Sequence, residues 1–493
     1  MIKQKFLFDF VAKFAIQIIT ALAGIVVARL AGPSVMGMVN YGTSYVGVFS
    51  FIVGIFGTAH IKMVSEGKDE GDCNKTYWMI SLSAIVVFLI CTLSYFFIQK
   101  YYLHHNFGSA DLQMVILLSI VAYVIGLFPQ YNETFFIART EQVRSNLPNL
   151  LKAVVYNVLR IVVVALGFGA IALVNINILS GLIVLPFIYV LFRKIPFGRF
   201  NKQYFRNYML ISLPVVVIVF TNALMAYSDK LVLEYYSNVK ELGYYSVAFS
   251  IGGMILLLGK SAGTVFFPLF SKYFSDNDFD SVRKLSRKFD DFLFKFVFPF
   301  VLLLSMYSPL IIKGLLGPKY ASSVDIFSIL VVASFIMLWG TPYGNMLAGL
   351  GKFWLVAKIN VFQFLFFAAC LVLLLDPHFL GLKSMGLAIN NLLLNLFSLV
   401  VSLLYAYRRT KIRFDLRLRY ILFGAIFYFL WYLGCKALLD HSYKLIYYIS
   451  PLFFIIVFYT FMYLMKWIER KDARFLFSLF NPKALSNYVK DEM

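Results

Sequence analysis

The sequence predicts an all-α, polytopic membrane protein with about fourteen transmembrane helices, and three observations lead there. Of 493 residues, 61% are hydrophobic and 14% charged, whereas soluble domains run about 45–50% apolar and about 25% charged. A soluble chain of this length could not cover its surfaces with so little charge, so its solvent is lipid. Apolar stretches of about 20 residues recur, the length a helix needs to cross a hydrocarbon core about 30 Å thick. Basic residues gather in every second loop, as helix ends on the cytoplasmic side require.

The qualifying stretches, in order, are 8–30, 38–59, 78–98, 112–138, 151–174, 176–192, 208–233, 244–270, 292–312, 324–348, 353–375, 382–407, 420–438 and 445–467. The sixth is the shortest, at 17 residues. Nothing alternates with a period of two over the roughly ten residues of a barrel strand. Met1-Ile2-Lys3-Gln4-Lys5 leads straight into the first stretch, which is too long for a signal-peptide core and has no small-residue cleavage site after it.

Loop charge checks this count independently. With Met1 in the cytoplasm, 30 of the 45 Lys and Arg fall in cytoplasmic segments and 8 outside, the rest lying within spans. The heaviest segments are 193–206, 272–288 and 408–419. Both termini are therefore expected in the cytoplasm. The excess charge of +21 belongs to these flanks and not to a nucleic-acid surface. Cys73, Cys91, Cys370 and Cys435 are scattered, without metal-ligand spacing or a disulfide framework. The loops are short, and none carries a catalytic pattern. Gly259-Lys260-Ser261 imitates the end of a phosphate loop, but position 254, where the earlier glycine belongs, is Met. Gly259 and Gly263 instead form a small-residue pair that lets another helix approach.

The second half echoes the first. Gly37 and Gly243 are 206 residues apart, and so are Lys152 and Lys358. Six helices per repeat preserve orientation, so this is a parallel repeat with its axis along the membrane normal. The expected division is an N-lobe over 1–200, a C-lobe over 201–410, and two extra helices with a basic tail over 411–493.

Ala28-Arg29-Leu30-Ala31-Gly32-Pro33-Ser34-Val35-Met36-Gly37 resembles the opening of the polysaccharide transporters. These are the Wzx-type lipid-linked oligosaccharide flippases of the multidrug/oligosaccharidyl-lipid/polysaccharide exporter (MOP) superfamily. Ala31 stands where a second Leu is usual. Asp229-Lys230-Leu231-Val232-Leu233, with Gly243-Tyr244-Tyr245-Ser246 after it, is similar to the family's seventh-to-eighth helix signature. Hydropathy and length extend the resemblance over the whole chain, the motifs over about forty positions. The resemblance implies two six-helix lobes around a central cavity, alternating access, placement in a bacterial inner membrane, and no enzymatic activity. The implied cargo is an undecaprenyl-pyrophosphate-linked oligosaccharide of the O-antigen, capsule or exopolysaccharide type. Polymerase and chain-length components of the same pathway are the implied protein partners.

Charges within spans give an independent reason for an anionic cargo. Each costs about 2.5–3.5 kcal/mol on insertion scales unless it faces a cavity or a partner. Lys13, Lys152 and Lys358 lie about one turn in from the cytoplasmic side, Lys260 in the cytoplasmic third, and Arg160 near mid-depth. With Arg29 they form the expected cationic binding set; the bland reading is that the lysines snorkel to the interface. Lys152, Tyr156 and Arg160 recur every four residues, and Lys13, Gln17 and Thr20 share a helix face. Glu133 and Asp229 are the candidates for coupling to a proton or sodium ion. Their bland readings are an interface pair with Arg139 and a local pair with Lys230. No cofactor or metal is expected. Pro129, Pro186, Pro214, Pro268, Pro299 and Pro342 mark candidate kinks. Three competing readings are a lipid II flippase, a multidrug or cation antiporter of the same superfamily, and a membrane polymerase. The antiporter would need buried acids without competing lysines. The polymerase would need an outside loop longer than 99–111.

Overall fold

A computed structural model describes residues 2–102, 107, 109–139, 141–193, 195–256, 270, 272–273, 276, 278–349, 353–410, 418–440 and 444–468. Every regular element among them is helical. The first ten helices are α1 (Ile2–Ala31), α2 (Pro33–Val48), α3 (Phe51–Gly54), α4 (Phe56–Ser65), α5 (Glu70–Phe97), α6 (Ala110–Ala138), α7 (Gln142–Ala165), α8 (Ala170–Phe192), α9 (Lys202–Tyr236) and α10 (Val239–Gly252). They are followed by α11 (Phe279–Phe292), α12 (Phe298–Met306), α13 (Ser308–Leu316), α14 (Ser323–Gly349), α15 (Phe353–Leu375), α16 (Lys383–Thr410), α17 (Leu418–Asp440) and α18 (Lys444–Leu464).

Local chemistry sets several boundaries. Gly32, at φ 81°, breaks the chain between α1 and α2, and Pro33 starts α2 where its missing N–H costs nothing. Asp69 caps α5 by accepting from the Asp72 N–H, and Ser109 caps α6 from Leu112 N–H. Asn201 does the same for α9, accepting from Gln203 and Tyr204.

Among the described residues, nine helices are long and apolar enough to cross a membrane, or eleven if each of two bent pairs counts as one span. The pairs are Pro33–Val48 with Phe51–Ser65, bent by 54°, and Phe279–Met306 with Ser308–Leu316, bent by 70°. Helix α10 begins the eighth expected stretch, whose continuation at 257–269 lies outside the described residues. The thirteenth and fourteenth are helical as α17 and α18, with Ile449–Leu464 a shorter apolar helix. Neither sharp bend falls at one of the six candidate prolines, but Pro309 stands two residues past the second, in the first turn of α13. One falls at Phe49–Ser50 just after Gly47, the other at Tyr307. A Gly/Ser pair is a recognised cause of the first.

Contacts group the chain into two units. One comprises Met1–Ile251, Leu315–Tyr320 and Phe353–Asn390; the other comprises Gly252–Gly314, Ala321–Lys352 and Asn391–Met493. In the first, α1 lies along α7, α6 packs on α8 and α2, and α9 packs on α2 and α15. Its core is aromatic. His60 stacks on Tyr77 with ring centroids 4.4 Å apart and shares a 2.8 Å hydrogen bond with the Tyr208 hydroxyl. The outer face of α5 exposes Leu82, Val86 and Ile90, four residues apart, a stripe suited to hydrocarbon. In the second unit, α12 packs on α14, α17 and α18. There the Tyr307 hydroxyl, 2.6 Å from Ser450 Oγ, accepts from Trp431 Nε1 at 2.9 Å.

Candidate functional site

The first unit holds a cavity of about 440 Å³ between α1, α6, α7 and α8. Its charged lining is Lys13, Glu133 and Lys152, and its neutral polar lining is Thr20, Asn146, Asn149, Tyr156, Asn157 and Asn177.

The charged residues sit where α1 and α7 are early in their course and α6 is ending. Lys13 Nζ lies 3.7 Å from Glu133 Oε1, and Asn149 Nδ2 donates to Glu133 Oε2 at 2.9 Å. Lys13 is half exposed along its side chain and Glu133 about a quarter, so the pair contributes little to stability. Lys152 reaches across to α6: its Nζ lies 3.5 Å from where a Cβ on Gly126 would sit. Two cations against one carboxylate leave this end of the cavity positive.

The far end is neutral. Asn157 Nδ2 donates to the Ala153 carbonyl at 2.6 Å and to Thr20 Oγ1 at 3.3 Å, tying α7 to α1. Tyr156 and Asn177 also line a smaller space of about 80 Å³ with Thr43 and Ser119, between α2, α6 and α8.

The expected binding set is thus only partly gathered. Lys13 and Lys152 share the cavity. Arg160 does not line it; it is buried, its Nη2 donates to the Thr20 carbonyl at 2.8 Å, and its guanidinium lies 5.0 Å from the Tyr156 ring centroid. Lys358 is exposed on α15 and Arg29 exposed at the end of α1, where its Nη1 donates to the Leu315 carbonyl at 3.4 Å. Lys260 lies outside the described residues.

Of the coupling candidates, Glu133 is in the cavity wall. It does not pair with Arg139 as the bland reading had it: Arg139 Nε instead meets Glu70 Oε1 at 2.8 Å. Asp229 is buried, accepts from the Lys230 backbone N–H at 2.7 Å and lies 3.6 Å from Lys230 Nζ. On α1 the lining face is Lys13, Ile16 and Thr20, not Lys13, Gln17 and Thr20. The asparagines escaped a reading that followed charge alone. Positions 146, 149, 153, 156 and 157 form a helical stripe on α7, and that spacing was the available signal. Among the described residues no cluster of three metal-ligating side chains occurs.

Comparison with known proteins bears on what such a cavity serves. Residues 26–325 match the family described as "Polysaccharide biosynthesis protein". An uncharacterized membrane protein of Methanocaldococcus jannaschii is 22% identical over 291 residues, 55% of this chain and 56% of the relative. The match thus spans about half of that protein's length. Among solved structures, the lipid II flippase MurJ in an inward closed conformation superposes with a TM-score of 0.67 at 15% identity, over 93% of this chain and 99% of MurJ. An inward-facing multidrug resistance MATE family transporter of the MOP superfamily gives 0.64 at 14% identity, over 82% and 98%. At these identities the likeness is one of fold.

Proposed function

The chain belongs to the polysaccharide biosynthesis protein family, and from that premise we propose that it flips undecaprenyl-pyrophosphate-linked oligosaccharide repeat units across a bacterial inner membrane. It is a multi-pass membrane transporter of the MOP superfamily involved in polysaccharide biosynthesis. The observation that carries the finer reading is the cavity at which Lys13 and Lys152 outnumber Glu133. Lysine is a point charge well suited to phosphate. The same excess of cations argues against a cationic drug as cargo.

In this reading the chain has fourteen spans, with both termini cytoplasmic. The lobes over 1–200 and 201–410 alternate access, and the segment 411–493 adds two helices and a basic tail. Glu133 couples the cycle to a proton. Its protonation removes one negative charge at the cavity mouth; Asp229, held by Lys230, keeps a structural role. Polymerase and chain-length components receive the product.

The test is flipping in proteoliposomes with three cargoes: an undecaprenyl-pyrophosphate oligosaccharide, lipid II and a cationic dye. Transport of the first well above the others supports the assignment. Preference for lipid II or for the dye replaces it with the corresponding reading.

A further inference from the structure

We propose that Lys284, Arg287 and Lys288 on α11 form a docking face for the headgroups of acidic phospholipids, in the leaflet where the α11–α12 helix enters the membrane. In the topology proposed above this is the cytoplasmic leaflet. The inference concerns the second unit and stands apart from the flippase reading.

Helices α11 and α12 run as one helix from Phe279 to Met306, with a π-turn at Leu293–Val297 between them. One side of its first half is buried, at Val282, Ser286 and Phe289. Asp290 fixes that side, its Oδ2 accepting from the Tyr343 hydroxyl of α14 at 2.7 Å. The other side carries Lys284, Arg287 and Lys288, all three exposed. None of the three forms an ion pair with a described residue, whereas the neighbouring Arg283 meets Asp280 at 4.0 Å. Of the other acids on this helix, Asp280 stands at its far end and Asp291 is half-buried. Topology asks only that bases lie in the segment. It does not require them on one open side of a helix whose other side is packed.

The residues that follow identify the occupant. Every fourth position reads Lys284, Lys288, Phe292, Phe296, Phe300. Such a row drifts by about 40° per step around a regular helix, and the wider π-turn takes back part of the drift. The rings of Phe292 and Phe296 lie 5.8 Å apart, and Phe300 is exposed. Bases leading into phenylalanines complement a molecule that is anionic at one end and hydrocarbon beyond it. Depth agrees, because the apolar stretch begins at Phe292. Lys288 lies about 6 Å before it and Lys284 about 12 Å, and the headgroup layer adds about 5–7 Å to each side of the hydrocarbon. Clustered bases next to a span attract acidic lipids, each strengthening attachment about fivefold.

The experiment uses the full chain in a neutral detergent, titrated with phosphatidylglycerol or with phosphatidylcholine. The apparent Kd of each lipid is read from the rise in melting temperature it produces. Wild type should bind phosphatidylglycerol about tenfold or more tighter than phosphatidylcholine, and should lose that preference in 1 M NaCl, where charges are screened within about 3 Å. Lys284→Gln/Arg287→Gln/Lys288→Gln should weaken phosphatidylglycerol binding about tenfold or more and leave phosphatidylcholine binding as it is. Arg199→Gln/Lys202→Gln/Arg206→Gln removes the same charge ahead of and within the start of α9, and should change the phosphatidylglycerol Kd less than twofold. Lys288→Glu alone, at an exposed position, carries the test if the first triple variant fails to fold. An unchanged Kd in the α11 variants, or equal losses in both triple variants, overturns the docking face. If the α11 variants instead lose undecaprenyl pyrophosphate and keep phosphatidylglycerol, the face belongs to the cargo and the proposal falls.

Discussion

Gly37 of α2 and Gly243 of α10 pack backbone against backbone. A Cβ on Gly37 would fall 1.7 Å from the Val239 carbonyl oxygen, and one on Gly243 would fall 1.8 Å from the Pro33 carbonyl oxygen. The two glycines that suggested a sequence repeat, 206 residues apart, are therefore each other's neighbours. The contact is reinforced nearby, where the Tyr320 hydroxyl donates to the Ala28 carbonyl at 3.0 Å. Small residues serve this purpose in membrane helices, where close backbone approach substitutes for the missing hydrophobic drive.

Either Gly37→Ala or Gly243→Ala forces these backbones apart. Overpacking of this kind costs about 1–3 kcal/mol, so each variant should melt measurably below wild type in detergent. Gly54→Ala is the control, because a Cβ there meets nothing within 4 Å. Equal melting of all three variants and wild type would contradict the contact.

Arg160 and Lys152 should separate by what they lose. Arg160 is buried and donates to the Thr20 carbonyl at 2.8 Å; hydrogen bonds from charged groups are worth about 1.5–3 kcal/mol. Arg160→Gln should therefore lower the melting temperature together with transport. Arg160→Lys should not rescue it, since an ammonium lacks the planar fork that reaches the carbonyl while lying over Tyr156. Lys152→Gln should reduce transport with little change in melting. Parallel losses of stability in both would remove the distinction.

Much of this was legible in the sequence, and the boundary has a physical cause. Length and apolarity locate helices because the bilayer imposes both, so the expected stretches reappear as helices wherever they are described. Helical spacing correctly placed Lys152 and Tyr156 on one face. It could not say what that face meets, and Arg160, one turn further on, meets α1 rather than the cavity. Lys358 matches Lys152 in sequence offset yet is exposed. Charge singles out the lysines, whereas asparagines of α7 and α8 supply four of the six neutral polar residues in the wall. No proline marks the sharp bend at Phe49–Ser50, and the one at Tyr307 goes with Pro309 rather than with the candidate kink at Pro299.

The orientation is tested by labelling. A single cysteine at position 202 or at 408, in a background without native cysteines, should resist an impermeant thiol reagent applied to intact cells and react once they are opened. Strong labelling of intact cells at either position would reverse the assigned topology, because the basic flanks would then lie outside.

Energy coupling is tested at the Lys13–Glu133 pair, 3.7 Å apart. Wild-type accumulation of cargo should fall about fivefold or more with a protonophore. Glu133→Gln should be insensitive to it yet still carry cargo downhill. Identical protonophore responses in the two proteins would point to the substrate gradient as the driving force.

The most direct measurement is flipping of an undecaprenyl-pyrophosphate oligosaccharide by purified protein whose cavity charge has been removed. Lys13→Gln/Lys152→Gln should fold and melt as wild type does and lose about tenfold or more of its transport, while Lys13→Arg/Lys152→Arg retains a substantial part because the positive field survives. Full transport by the Gln pair would show that these lysines merely reach to the interface, and that the cargo's charge is met elsewhere.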